Sequence, residues 1–265
     1  MTPEAFSVAR RALTTQLIAA LVLAFNRLGS WHRPDAERFV ALAVPLVLGA
    51  QTALGMLVSN YIASRAMAAL HVPVAPPVLL QRPGARLREG DPNTVYTRPF
   101  VDAWTALKNR ETLEQALHGA RVRMREIAEG DMQQAYSEAA HDAINGLPPD
   151  QQPSGWRRVL FGNENCALCV VASTQLYHRQ KLNPIHPACD CRVEPWWGPD
   201  THVIEPALLE QVHAAVTELT GTSDRGARAP DYRKILTQMT QEHGELGPML
   251  ARPLDHFDGP RDIPG

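Results

Sequence analysis

The sequence predicts a mainly α protein: a helical N-terminal hairpin, a helical middle, a small α+β module and C-terminal helices. Three observations predict it. Apolar residues recur at helical spacing through most of the chain, as in Leu13, Leu17, Leu21 and Leu28. The 22 prolines and 17 glycines concentrate in particular stretches, so extended connections separate the helices. All four cysteines fall between Cys166 and Cys191, in a segment of strand-like text. With 265 residues, 45% of them apolar, the chain can build a sizeable core.

Residues 1–71 read as a helical hairpin. Thr2 is placed to cap the first helix with Pro3 in its first turn, and Ile18 and Phe25 join the leucine stripe. Gly29 and Ser30 close it; Pro34 and Asp35 open a second helix expected to kink at Pro45 and run to about Leu70. Phe39 to Val58 carries no charge and has the length of a bilayer crossing. Gln51, Thr52 and Pro45 within it favour a buried helix, with a membrane-associated protein as the alternative. Residues 72–100 read as a proline-rich extended linker, within the stretch "HVPVAPPVLLQRPGARLREGDPNTVYTRP" that starts at His71 and ends at Pro99.

Residues 101–150 return to helix, expected as two pieces: one ending near Gly130, the next capped by Asp131 with Gln134 three residues on and stopped by Gly146, Pro148 and Pro149. Residues 201–265 read as C-terminal helices and a tail, one helix opened by Pro206 and another by Pro230. The chain's start has no secretory pattern, since Glu4 precedes Arg10 and Arg11 and no small-residue cleavage site follows. Its thiols are accordingly expected in a reducing compartment, where a tight cysteine cluster points to metal.

Between them, residues 151–200 hold the chemistry. The pattern is Cys166-x2-Cys169, sixteen intervening residues, then His186-x2-Cys189-x-Cys191. Zinc takes four ligands in a tetrahedron, and each x2 pair lets two side chains of one tight turn reach the same ion. The candidate ligands are Cys166, Cys169, His186, Cys189 and Cys191, with Cys189 and Cys191 both eligible for the last place. Five ligands for four positions favour a closed, structural Zn2+ site over a catalytic one. Two disulfides between the pairs are the competing reading. A redox pair lacks a preceding βαβ pattern, and a zinc deaminase would need His-x-Glu and Pro-Cys-x2-Cys elements that are missing here. His178, midway between the pairs, is read as a surface residue. After Cys191, "RVEPWW" has strand character, and Trp196 and Trp197 are expected to cover the small core around the metal.

A net charge of −2 and a pI near 6.6 give no global pull toward nucleic acid or an anionic membrane. The basic runs Arg121, Arg123, Arg125 and Arg157, Arg158 are short and read as solvated faces.

"CALC" followed by "IHPACDC" resembles the signature of the phage Mu protein F-like minor head proteins, in which a Cys-x2-Cys pair precedes a His-Pro-x-Cys-x-Cys element. The likeness is greatest to minor capsid proteins of tailed phages of actinobacteria. It extends over "GWRRVLFGNENCALCVVASTQLYHRQKLNPIHPACDCRVEP", the "DMQQAYSEAAHDAIN" segment and the C-terminal "HGELGPML", covering most of residues 101–257. The resemblance implies a structural virion protein inside the phage head near the portal, present in few copies, supporting head assembly, genome packaging or DNA delivery. Its implied partners are the portal and other head proteins, with weak contact to packaged DNA and neither a membrane nor a small-molecule substrate. It would reside in the host cytoplasm during assembly. The ligand roles of His186 and the cysteines carry onto the matching positions. Some relatives are fused to a protease or a toxin; this chain has neither a nucleophile motif nor spare length for one, so no catalytic residue is assigned. A zinc-dependent hydrolase or nuclease-like enzyme is the rival, marked by three protein ligands and a water where a scaffold has four protein ligands.

Overall fold

The computed structural model describes residues 1–79, 91–159, 173, 176–177, 192–198, 210, 213–214, 217, 221, 240–243 and 247–250. The protein is mainly α. Four helices, α1 Pro3–Asn26, α2 Arg33–Leu70, α3 Pro92–Lys108 and α4 Leu113–Asn145, share one hydrophobic core. A 3-10 turn, Pro149–Gln151, leads into strand β1 Gly155–Val159, which is flanked by β2 Leu176–Tyr177 and β3 Arg192–Trp196. Two further strands, β4 Thr240–His243 and β5 Gly247–Leu250, form a separate antiparallel hairpin.

Helix α1 starts where the sequence places it: the Thr2 hydroxyl accepts the Ala5 N–H, and Pro3 occupies the first turn, where its missing N–H costs nothing. Its stripe of Leu17, Leu21 and Phe25 is buried. The helix ends at Asn26, ahead of Gly29 and Ser30, because Ser30 belongs to a tight turn organised by Asp35. The Asp35 carboxylate accepts the Ser30 N–H and hydroxyl, both at 2.8 Å, and the Trp31 N–H at 2.9 Å, and pairs with Arg38. These bonds hold Trp31 in the left-handed region, at φ 53°.

The Ser30 N–H first, then the Ser30 hydroxyl, the Trp31 N–H and Arg38, keep Asp35 well below the usual carboxylate range, with burial opposing them. A depressed native pKa contributes stability that is present above the unfolded-state value of about 3.9 and is lost as pH falls below it. Melting curves of Asp35→Asn and the parent chain should therefore differ most at neutral pH and converge as pH falls from about 5 toward 2. A gap that stays constant over that range would mean that the carboxylate's charge does not hold the turn.

Helix α2 runs through Pro45 as one element, and its buried side, including Phe39, Val47, Leu54 and Tyr61, lies toward α1, α3 and α4. Phe25 of α1 meets Phe39 of α2 edge-on, at 5.9 Å between centroids, and Phe100 of α3 closes the group. The expected hairpin of two apolar helices is thus formed. Both α1 and α2 are long and apolar enough to cross a membrane by length and composition.

The middle of the chain departs from the sequence reading in two places. Helix α3 begins at Pro92, inside the stretch read as linker, with Asp91 accepting the Thr94 N–H as its cap. Helix α4 is continuous through Gly130 and Asp131, where a break was expected; the chain turns instead at Asn109 to Thr112, with Arg110 at φ 68°. A full capping box between Thr112 and Gln115 marks the true start. Asp131 is not a cap: it is buried and accepts the Tyr96 hydroxyl at 2.8 Å. Burial on every side from Gly130 to Ala140 makes α4 the central helix, and Gly146 ends it as expected.

Further on, Glu210, His213, Ala214 and Thr217 are helical, and Gly221, at φ +77°, donates its N–H to the Thr217 carbonyl at 2.7 Å. The described part of the helix expected after Pro206 thus agrees with the sequence. The helix expected after Pro230 does not extend over Thr240–His243, which is strand β4, paired from Thr240↔Leu250 to His243↔Gly247. Pro248 forbids a helix interior there but is tolerated on an edge strand.

Candidate metal centre

Cys166, Cys169, His186, Cys189 and Cys191 lie outside the described residues, as does His178. Among the described residues no group of three or more His, Cys, Asp or Glu side chains could hold a metal ion. What is described is the frame from which the cysteine segments spring.

That frame is the three-stranded sheet with order β2-β1-β3, both neighbours antiparallel to β1. The register pairs Val159, the last residue of β1, with Arg192, the first of β3. The last residue of β1, seven positions before Cys166, therefore lies beside the first residue of β3. Paired Cα atoms of antiparallel strands are about 5 Å apart, and Cys191 is the residue directly before Arg192. A tetrahedral site made of two turns distant in sequence needs its two halves brought together, and this register does so for the strand residues Val159 and Arg192 that flank the segment. In this respect the frame fits the zinc reading.

The sheet is seated on the helices by two tyrosines. The Tyr136 hydroxyl, on α4, donates to the Val193 carbonyl at 2.6 Å and accepts the Val193 N–H at 3.1 Å, satisfying the outer edge of β3 much as a neighbouring strand would. The Tyr61 hydroxyl, on α2, donates to Glu194 Oε1 at 2.9 Å. Glu194 is 3% exposed, a carboxylate that needs such partners to stay buried. Arg157, its cross-strand neighbour, approaches Oε2 at 3.8 Å and lies over the Trp196 ring at 4.8 Å. Phe6 of α1 stacks on Tyr61 at 4.2 Å and touches Tyr136 at 5.8 Å, so one buried ring from the first helix steadies both tyrosines.

Neither basic run is simply a solvated face. Arg123 is buried between α3 and α4, near Asp102 at 3.6 Å and Glu126 at 3.9 Å. Burial lowers the Arg123 pKa and raises those of Asp102 and Glu126, against the attraction between them. Desolvation thus outweighs attraction in setting the direction of all three shifts. Arg158 is buried against the Tyr177 ring, while Arg157 faces Glu194 and Trp196. Alternation along β1 sends the two arginines to opposite faces, and neither pair of neighbours makes a basic patch.

Trp197 donates its indole N–H to the Gln151 carbonyl at 3.0 Å, and Ser154 donates to the Trp196 and Gly198 carbonyls at 2.8 and 3.0 Å. The tryptophans therefore brace the bottom of the sheet against the 3-10 turn, at the end away from Val159 and Arg192. Gly198 is required there, since a Cβ would lie 2.5 Å from the Trp196 ring. Sequence reasoning missed Tyr61, Tyr136 and Glu194. Only the opposed charges of "GWRRV" and "RVEPW" hinted at a strand pair. Comparison of the chain with protein-family models, with curated proteins and with solved structures finds no match.

Proposed function

We propose that the protein is a structural minor head protein of a tailed phage, in which a zinc-stapled α+β module is carried on a helical bundle and acts through protein contacts rather than catalysis. The observation that carries this reading is the meeting of the Cys-x2-Cys and His-Pro-x-Cys-x-Cys pattern with the Val159↔Arg192 register. The pattern offers five candidate ligands, and the register pairs Val159, seven residues before the first of them, with Arg192, directly after the last. Cys166, Cys169, His186 and one or both of Cys189 and Cys191 would hold the ion. It replaces a hydrophobic core that so short a module could hardly build alone. The portal and neighbouring head proteins are the partners this reading assigns, reached from the outer surfaces of the helices.

Protein purified under reducing conditions is expected to contain about one zinc per chain by elemental mass spectrometry, with X-ray absorption reporting four protein ligands. Three protein ligands and one water oxygen would favour the hydrolase reading. Absence of metal would count against both. In assembled particles, cryo-electron microscopy of the portal vertex should find density for the chain on the inner side of the head; its absence from particles would sink the virion assignment.

A further inference from the structure

The outward side of the N-terminal hairpin is apolar in a way the described residues of the protomer do not account for. From Phe39 to Ser64 helix α2 has no charged residue, about 40 Å of helix at 1.5 Å per residue. Ala12 to Asn26 of α1 has none either. Yet this stretch of α2 is only half interior. Leu42 is 48%, Leu46 40% and Met56 60% exposed, and Leu23 of α1, which lines one surface depression together with Leu42, is 52% exposed. The polar side chains on the stripe turn back on their own helix: the Thr52 hydroxyl donates to the Leu48 carbonyl and the Asn60 amide to the Met56 carbonyl, both at 2.8 Å. Their hydrogen bonds survive removal of water.

Gly49 stands at the centre of this stripe. It is an exposed glycine inside a helix, which weakens the helix, and a Cβ built on it meets nothing within 4 Å. The described residues of the protomer supply no reason for a glycine there; close approach of another backbone does.

We propose that this face is a two-fold interface with a second copy of the chain, the two α2 helices crossing antiparallel at Gly49. The stripe is laid out nearly symmetrically about that residue. An axis through Gly49 sets Leu42 of one copy opposite Met56 of the other, and Leu46 opposite Thr52. A two-fold interface joins identical patches, so a surface without charge matches itself with no repulsion. Two adjacent helices, each about 10 Å wide, over about 27 Å give a flat footprint on the order of 500 Å², and more as accessible surface, approaching the ~800 Å² per partner of a stable interface. Lipid fits less well. The inner side of α2 packs on α4 with its buried Asp131 and Arg123, so a bilayer around α2 would have to take in α4. A helix lying on a membrane surface carries basic residues beside its apolar stripe, and none stands between Phe39 and Ser64.

The full-length chain, in reducing buffer without detergent, should sediment at twice 29.2 kDa, about 58 kDa. Gly49→Glu should weaken the dimer at least tenfold while keeping the helical circular dichroism, because glutamate is the better helix former and the protomer has room for it. Leu42→Lys and Met56→Glu should each dissociate it, and the two together should restore it, since the opposite charges then face each other across the axis. The two positions are about 21 Å apart within one helix, so restored folding of a protomer cannot imitate this rescue. A parent chain of monomer mass at all concentrations overturns the proposal, as does a dimer indifferent to Gly49→Glu, or single variants that the pair fails to rescue. Flotation of a monomeric parent chain with phosphatidylcholine vesicles would assign the face to lipid and overturn it too.

Discussion

Replacing Cys166 and Cys169 together by serine is expected to unfold the strand module and leave the four helices standing. If the proposed zinc site exists, its ion contributes on the order of 10 kcal/mol to a module of this size, and the pair of substitutions removes half of the tetrahedron. The helices supply most of the buried core, from Phe6 and Leu21 through Tyr61 and Phe100 to Met124, with Trp156 and Val193 the residues of the described sheet that join it. Far-UV circular dichroism should therefore change little, while trypsin should cut at Arg157 and Arg158 where the parent chain resists. Chelator should reproduce the effect in the parent chain and reductant alone should not. The converse, sensitivity to reductant and indifference to chelator, would replace the metal by disulfides. An unchanged digestion pattern would remove both.

Phe6→Ala is expected to cost about 3–5 kcal/mol, a large share of a typical domain's stability. Phe6 is fully buried, and its ring rests against both tyrosines that hold the sheet. The loss should lower the melting temperature by roughly 10 °C in a chain of this length and raise hydrogen exchange in β3 beyond that in α3. Tyr136→Phe separates packing from docking. It keeps the ring but leaves the Val193 N–H and carbonyl without the hydroxyl, at about 1–3 kcal/mol. If Phe6→Ala loosens β3 no more than α3, the ring is only core and does not couple the first helix to the sheet.

The parts of the fold legible in the sequence are those whose signals are local. The Thr2 cap with Pro3, the leucine stripe of α1, the stop at Gly146 and the strand at Arg192–Trp196 are decided within a few residues of each site. The misses occur where a local signal has another use. Pro92 reads as a breaker, yet at the first turn of α3 it lacks only an N–H that would go unbonded. Asp131 after Gly130 reads as a cap, yet its carboxylate is committed to Tyr96, thirty-five residues earlier. The candidate ligands were visible as spacing, but the frame beneath them was not. The bonds of Tyr61 to Glu194 and Tyr136 to Val193 span 133 and 57 positions, and nothing local marks a tyrosine as the one that will meet a strand edge.

The Val159↔Arg192 pairing also decides what the rest of the molecule can ignore. Between those two residues the chain returns to the sheet once, at Leu176–Tyr177 on the other side of β1, so the excursion is pinned at both feet and at one point between them. Because loop-closure cost grows only slowly with the number of residues enclosed, the helices are largely indifferent to the excursion's length. Changes of length that spare Leu176–Tyr177 leave Tyr61 and Tyr136 gripping the same two residues of β3, so the bundle can serve as a fixed socket while what it carries is exchanged.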